Sequence, residues 1–183
     1  MHSTDWQERA NRVILMEKQV RQMFGFVPNN AEDYALASQI SQAEAYKYFI
    51  ERMRVDRPNK SGVIWWNLLD GWPQMSDAVV DYYFEKKLAF EYIKRVQKPF
   101  IIALDELNDW SMPVVLCNDT LEEKKGTVKI YDADTKEVLL EKDFVAKENT
   151  STVLDYIEAY YYEKKLLIIE WEVNDEKGYN HYL

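Results

Sequence analysis

The sequence has a single cysteine, Cys117. One thiol cannot close an internal disulfide, so the fold must hold by packing and hydrogen bonding, and the compartment is left open. Histidine is nearly as scarce: His2 and His181 are the only two, at opposite ends of the sequence. A His-based triad or a zinc site would need partners that no motif sets beside them. The five glycines are scattered singly, so there is no glycine-rich phosphate loop. No run approaches about 18 consecutive apolar residues, which leaves no candidate transmembrane helix. The first residues lack the basic-then-apolar pattern of a signal peptide. Positive charge is outnumbered, 23 Lys and Arg against 32 Asp and Glu, and the net charge of −9 argues against a nucleic-acid surface. Asp132 and Asp134 resemble the start of a calcium loop. The glycine at its sixth position and the glutamate at its twelfth are missing, so a hairpin turn explains them better. The expectation is no cofactor, no metal, no nucleic acid and no membrane.

What is present is enough for a globular chain of one or two domains. Of 183 residues, 47% are hydrophobic and 30% charged, which excludes disorder as the default. Aromatics reach 14%, with 6 Trp and 13 Tyr. That enrichment fits stacking on carbohydrate, but an aromatic-rich core is the simpler default.

The spacing predicts an amphipathic helix over 6–23, with Val13, Met16, Val20 and Met23 on one face and Gly25 and Pro28 ending it. A longer helix is predicted from Asn30, an N-cap residue with Glu32 and Asp33 behind it. Lys47, Arg52 and Arg54 lie toward its other end, and Pro58 closes it. A third helix is predicted from Asp81 or Phe84 to Gln97. At Pro99 the apolar period changes from about 3.6 to 2, the clearest domain signal in the chain. Strands are predicted at 100–104, 114–117, 127–131, 138–144, 152–157, 166–173 and 179–183. Seven short strands without intervening helices argue for an antiparallel β-sandwich of immunoglobulin type. Cys117 reads as a small core residue.

Between the second and third helices lies the most distinctive stretch: Gly62, Val63, Ile64, Trp65, Trp66, Asn67, Leu68, Leu69, Asp70, Gly71, Trp72, Pro73. Val63 to Trp66 read as a strand, and one without alternation suits a central parallel strand covered on both faces. The polar and aromatic residues after it are either a ligand-facing end or a turn that needs Gly71 and Pro73. Trp65 and Trp66 point to opposite sides, Trp65 toward the core.

This stretch resembles the last barrel strand of glycoside hydrolase family two, the β-mannosidase and β-galactosidase group. Ala37, Ser38, Gln39, Ile40, Ser41, Gln42, Ala43, Glu44 and Ala45, followed by Glu51, Arg52, Met53 and Arg54, are similar to the helix before it. Asp81, Tyr82, Tyr83, Lys86, Lys87 and Tyr92 are similar to the segment leading out. Tyr179, Asn180, His181, Tyr182 and Leu183 resemble the last strand of the sandwich that follows the barrel in the β-mannosidase branch. Leu69 departs from the family's asparagine.

The resemblance implies an α+β chain in two parts: residues 1–98, the helical remnant of a (β/α)8 barrel end, and residues 99–183, an immunoglobulin-like sandwich. It implies a parent that hydrolyses terminal β-mannosides or β-galactosides with retention, using two glutamates from the fourth and seventh barrel strands. This chain enters the pattern after the seventh strand. Glu8 and Glu17 sit in a helical pattern and read as solvated, so no catalytic residue is assigned and the chain itself is expected to be inactive. Three residues are carried over as substrate-binding. Trp66 would line the innermost sugar subsite, and Asp70 and Trp72 the loop beyond it, although Asp70 also reads as a turn carboxylate bonding its own backbone. The alternative function is a non-catalytic carbohydrate-binding or protein-interaction sandwich, with Tyr160, Tyr161 and Tyr162 as an exposed stacking patch or as packing at a strand edge. One strand of an eight-stranded barrel has no neighbours. Either the helices collapse over Trp65 and Trp66, or a homodimer covers the exposed surface.

Overall fold

The computed structural model describes residues 12–183. The part of the first predicted helix before Arg12, with Glu8 and His2, lies outside them. The described residues form two compact units. One runs through Ile50 and resumes at Val63–Arg95; the other is Glu51–Gly62 with Val96–Leu183.

The first unit begins with α1 (Arg12–Phe24). Gly25, at φ 79°, ends it, with its N–H bonded to the Arg21 carbonyl at 2.9 Å. The next helix is α2 (Ala31–Val55). Asn30 caps it as its residue type requires: Oδ1 accepts the Asp33 N–H at 2.9 Å, and Nδ2 donates to the Asp33 carboxylate at 2.7 Å. The strand expected over 63–66 is not formed. A strand needs a partner for its N–H and C=O groups, and the described residues supply none here. Ile64 is 99% exposed and Trp66 74%. Trp65, facing the helix as expected, is half-buried against Tyr46, ring centroids 5.5 Å apart and edge-on.

The chain then folds back on itself. Val79 N–H bonds the Asn67 carbonyl at 3.2 Å, Val80 N–H the Leu68 carbonyl at 2.9 Å, and Asp70 N–H the Val80 carbonyl at 3.1 Å. The third helix, α3 (Leu88–Val96), starts later than its apolar spacing suggested. Asp81 Oδ1 takes the N–H groups of Tyr83 (2.8 Å) and Glu85 (2.9 Å), which holds the preceding residues in turns. The Leu88 N–H is capped from α2 by Gln39 Oε1 at 3.0 Å.

The second unit is the sandwich. Its strands are β1 (Phe100–Leu104), β2 (Ser111–Asn118), β3 (Lys124–Asp132), β4 (Val138–Ala146), β5 (Thr150–Glu158), β6 (Leu167–Val173) and β7 (Glu176–Tyr182). All seven expected strands are present. Two antiparallel sheets form, in the orders β1-β2-β5 and β4-β3-β6-β7. Ile101, Leu116, Val128, Ile130, Phe144, Ile169 and Trp171 are buried between them. Phe100 stacks on Phe144 at 5.6 Å and meets Trp171 edge-on at 6.2 Å. Two glycines are set by close approach. A Cβ on Gly126 would lie 2.0 Å from the Glu172 carbonyl oxygen, and one on Gly178 2.2 Å from the Trp171 ring.

β1 and β2 are buried almost without alternation. The end of α2 belongs to this unit, and Val55 packs on the core. Arg54, buried, donates to the carbonyls of Val96 (2.6 Å) and Lys98 (2.7 Å) and pairs with Asp119 at 2.9 Å. Asn180 donates to Glu51 at 2.6 Å and to the Ile102 carbonyl at 3.1 Å. The acids and bases at this helix end do more than answer the helix dipole: they bond the helix to the sheet.

Candidate functional site

The three sugar-site candidates lie on one loop of the first unit but in different environments. Trp66 is exposed, and its peptide bond to Asn67 is cis. Its carbonyl accepts the Tyr46 hydroxyl, which also reaches the Asp77 carbonyl at 3.2 Å. Burial, with the Asp77 charge adding to it, holds the Tyr46 hydroxyl above the usual phenol pKa. Gln42 donates to the Asp77 carbonyl at 2.7 Å. Gln39, Gln42 and Tyr46 stand at spacings of three and four, so one face of α2 holds the whole loop.

Trp66 lines a cavity of about 1060 Å³. Tyr34, Tyr48 and Phe49 line it from α2, with the loop residues Gln74, Ser76 and Lys87 opposite. Asp70 and Trp72 are not on its wall. Trp72 is half-exposed and donates from Nε1 to Gln74 Oε1 at 2.6 Å.

Asp70 is 3% exposed. Its Oδ1 accepts from the Ser76 hydroxyl and from Gln74 Nε2 at 3.1 Å, and its Oδ2 pairs with Lys87 Nζ at 3.1 Å. Three side chains satisfy this carboxylate, where residue types suggested backbone or sugar hydroxyls. Gln74 also holds the Trp72 indole, so Asp70 is wired through one amide to the exposed ring. Ser76 and Gln74, polar residues just downstream, were readable as partners for a loop carboxylate; Lys87, 17 positions on, was not.

Other carboxylates have visible tasks. Asp81 caps its own turn, and Glu17 pairs with Arg21 on the exposed face of α1 at 3.0 Å. Asp132 Oδ1 accepts the N–H groups of Asp134 and Thr135, each at 2.8 Å, which is a turn rather than a calcium loop. These bonds, led by Thr135, hold the Asp132 pKa below the usual range. Among the described residues no group of three or more His, Cys, Asp or Glu could hold a metal, and no helix is long and apolar enough to cross a membrane. Cys117 is buried in the sandwich, and desolvation raises its thiol pKa to about 11.

No family model matches the chain. Curated relatives do. β-Mannosidase B of Emericella nidulans is 29% identical over 137 residues, 67% of this chain and 16% of that protein. The Aspergillus flavus β-mannosidase B is 35% identical over 85 residues, 44% of this chain and 10% of the relative. In structure, β-D-mannosidase from Dictyoglomus thermophilum superposes with a TM-score of 0.78 at 24% identity, over 91% of this chain and 22% of that one. An exo-chitosanase from Amycolatopsis orientalis gives 0.70 at 20% identity, over 92% and 21%. Helices followed by a two-sheet antiparallel sandwich are the architecture that the chain shares with these two solved structures. In sequence, the chain is similar over two thirds of its length to the β-mannosidases B. It spans about one sixth of the length of the first of these curated relatives.

Proposed function

We propose that this chain is the C-terminal portion of a retaining β-glycosidase, that the whole protein hydrolyses terminal β-mannosides or β-galactosides, and that the chain alone does not. One observation carries the reading: the first unit turns outward the apolar groups that a closed barrel would bury. Ile64, Trp66, Leu68 and Leu69 are consecutive or nearly so, and all are exposed. In this reading residues 1–98 are the end of the barrel, with 63–66 becoming a strand once neighbours pair with it. Residues 99–183 are the sandwich that follows.

Hydrolysis with retention takes two carboxyl groups about 5–5.5 Å apart. The reading assigns both to the part of the barrel preceding this chain. Here the enclosed loop carboxylate, Asp70, is committed to Lys87. Trp66 and Trp72 offer ring faces to a pyranose. Asp70 serves the sugar by fixing the Trp72 loop, or directly by releasing Gln74. In the chain by itself, a second copy covers the exposed face.

The test is a chimera in which this chain replaces the matching C-terminal part of the D. thermophilum β-D-mannosidase. It should turn over nitrophenyl β-mannoside, and Trp66→Ala should lower kcat/KM at least tenfold, roughly the loss of one good stacking contact. The chain by itself should give none. Turnover by the chain alone, abolished by changing one of its own carboxylates, would overturn the proposal.

A further inference from the structure

A second aromatic group lies in the sandwich, at the tip of the β1–β2 hairpin and on the loop after β5. Asn108 and Ser111 bond each other's backbone at 2.9 and 3.0 Å, leaving a two-residue turn of Asp109 and Trp110. Both central residues have positive φ, 47° and 64°. This turn favours Asn or Asp at its first position and Gly at its second, because Cβ clashes with the backbone in the left-handed region. The β6–β7 hairpin is an internal control: its two-residue turn has φ values of 50° and 66° and carries Asn174 and Asp175, residues that tolerate that conformation. At the matching place the β1–β2 turn carries a tryptophan, 52% exposed. A bulky side chain held in a disfavoured backbone region at a loop tip, with half its surface exposed, points to a use outside the fold.

Trp110 is not alone. Its ring lies 5.7 Å from Tyr160 and 5.6 Å from Tyr161, and Tyr160 stacks on Tyr162 at 5.5 Å. Tyr161 and Tyr162 are exposed. The cluster is held in place from behind. Tyr161 donates to the Leu107 carbonyl at 3.1 Å, the Ala159 N–H bonds the Trp110 carbonyl at 3.1 Å, and Tyr160 donates to the Glu158 carboxylate. Ring faces spaced on the scale of a hexose, interleaved with phenol hydroxyls and a carboxylate, suit a ligand with an apolar C–H face and a polar rim. A pyranose has both. A protein partner would want a broader continuous apolar area than four rings.

We propose that Trp110, Tyr160, Tyr161 and Tyr162 form a sugar-stacking surface on the sandwich, which takes a β-linked hexose oligosaccharide. The choice of sugar rests on the glycosidase reading above; the surface does not share a residue with Trp66, Asp70 or Trp72. Its role is to hold a chain of sugars by stacking, without chemistry.

The test titrates the intact chain with mannopentaose and cellopentaose by calorimetry. Saturable binding to at least one is expected. Tyr162→Ala and Trp110→Gly should each weaken it at least tenfold, and Leu121→Ala, an exposed residue of neither surface, should leave it unchanged. Trp110→Gly should also raise Tm by about 4 °C, since glycine suits the turn. Tyr162, at the outer edge, gives a variant whose fold is not at stake. No binding, or binding that survives both substitutions, overturns the surface. Binding lost only with Trp66→Ala overturns it while supporting the barrel reading. Self-association that disappears with Tyr162→Ala would show that the patch meets protein, which also overturns the sugar assignment. A fall in Tm for Trp110→Gly with binding intact would make Trp110 a packing residue.

Discussion

The two units are built from different currencies of burial. The sandwich encloses Ile, Leu, Val, Phe and Trp side chains from both sheets, edge strands β1, β4 and β5 included, each of them at most 8% exposed. In the helical unit the buried apolar side chains among the described residues are Val20, Ala37, Ala43, Ile50, Ala78, Val79, Ala89 and Ile93, half of them alanine. Its large apolar residues face outward instead: Phe26, Leu36, Ile64, Trp66, Leu68 and Phe84 are all more than half exposed. Alanine at a buried position brings elements close but removes little apolar area from water. The sandwich thus finishes its own core, whereas the helical unit leaves its large apolar side chains in water, as the proposed barrel end would. Stability should follow that difference.

The strongest way to break the contrast is at Arg54. It answers four carbonyls and the Asp119 carboxylate from a buried position. Arg54→Ala removes the donor from the carbonyls, while Asp119, partly exposed, keeps Arg57; the cost to the second unit is about 3 kcal/mol. A single thermal transition that moves down as a whole would mean the units melt together. Loss confined to the sandwich, read by near-UV dichroism of Trp171 and Phe144 surroundings, is the expected result. Gly126→Ala comes next, at about 2–3 kcal/mol, because the added methyl meets a backbone carbonyl that cannot swing away.

Much of the sandwich was legible because strand physics is local in its signature. Alternation, β-branched residues and polar turns fix seven strands without knowing their partners. The pairs that lock it were not legible. Asn180 finds Glu51, and Arg54 finds Asp119, across long stretches of sequence with no periodic trace. The helical unit reverses this. Asn30 as a cap and Gly25 as a stop are local and stand as the sequence predicts, but 63–66, for which the apolar run and the family resemblance both predict a strand, forms none. An apolar run states that a segment wants burial; it does not supply the neighbours that would make it a strand. The same limit applies at the site. Trp66 and Trp72 could be singled out by type, but the Lys87 that neutralises Asp70 could not. Trp110 gave no signal at all, because its meaning lies in a backbone angle.

Asp70 sharpens the comparison from the other side. Asp70→Asn strips the charge that Lys87 faces and leaves Lys87 Nζ, mostly enclosed, with neutral acceptors, the new amide oxygen and the Ser76 carbonyl at 3.4 Å. Because the lysine keeps some solvent, the cost is about 2 kcal/mol, less than for a fully buried pair. It should fall on the helical unit, as faster amide exchange across 66–88 with the sandwich amides unchanged. Equal acceleration in both would mean that the loop's order depends on the sandwich.

Alkaline pH probes the sandwich core through Cys117. The Cys117 thiol has an ordinary pKa of 9.0, raised to about 11 by burial. The unfolded thiol therefore loses its proton first as pH rises. Between about 9 and 11 the folded state binds more protons than the unfolded one, so stability falls through that window by up to about 2.7 kcal/mol. Below pH 9 the contribution is complete. Tyr182 and other tyrosines with raised pKa bend the curve the same way. Cys117→Ala isolates the thiol: its unfolding free energy should drop less between pH 9 and 11 than that of the parent chain. Identical slopes would mean that Cys117 is reached by water.

The smallest effect on stability is expected at Ile64, and it is the one that bears most directly on what the helical unit lacks. A side chain 99% exposed has almost no packing to lose, so Ile64→Ser should change the unfolding free energy by less than about 0.5 kcal/mol. What it should change is association. In the proposed dimer a second copy covers the exposed apolar residues Ile64, Trp66 and Leu68, and the area removed from water holds it there. With the serine, sedimentation should move toward monomer at the same concentration while Tm stays put. In the chimera, where barrel strands flank 63–66, the same substitution should instead cost about 2–4 kcal/mol, because the isoleucine is then interior. One residue, neutral in the fragment and destabilising in the completed barrel, would separate a surface that is merely greasy from one that is half of a core.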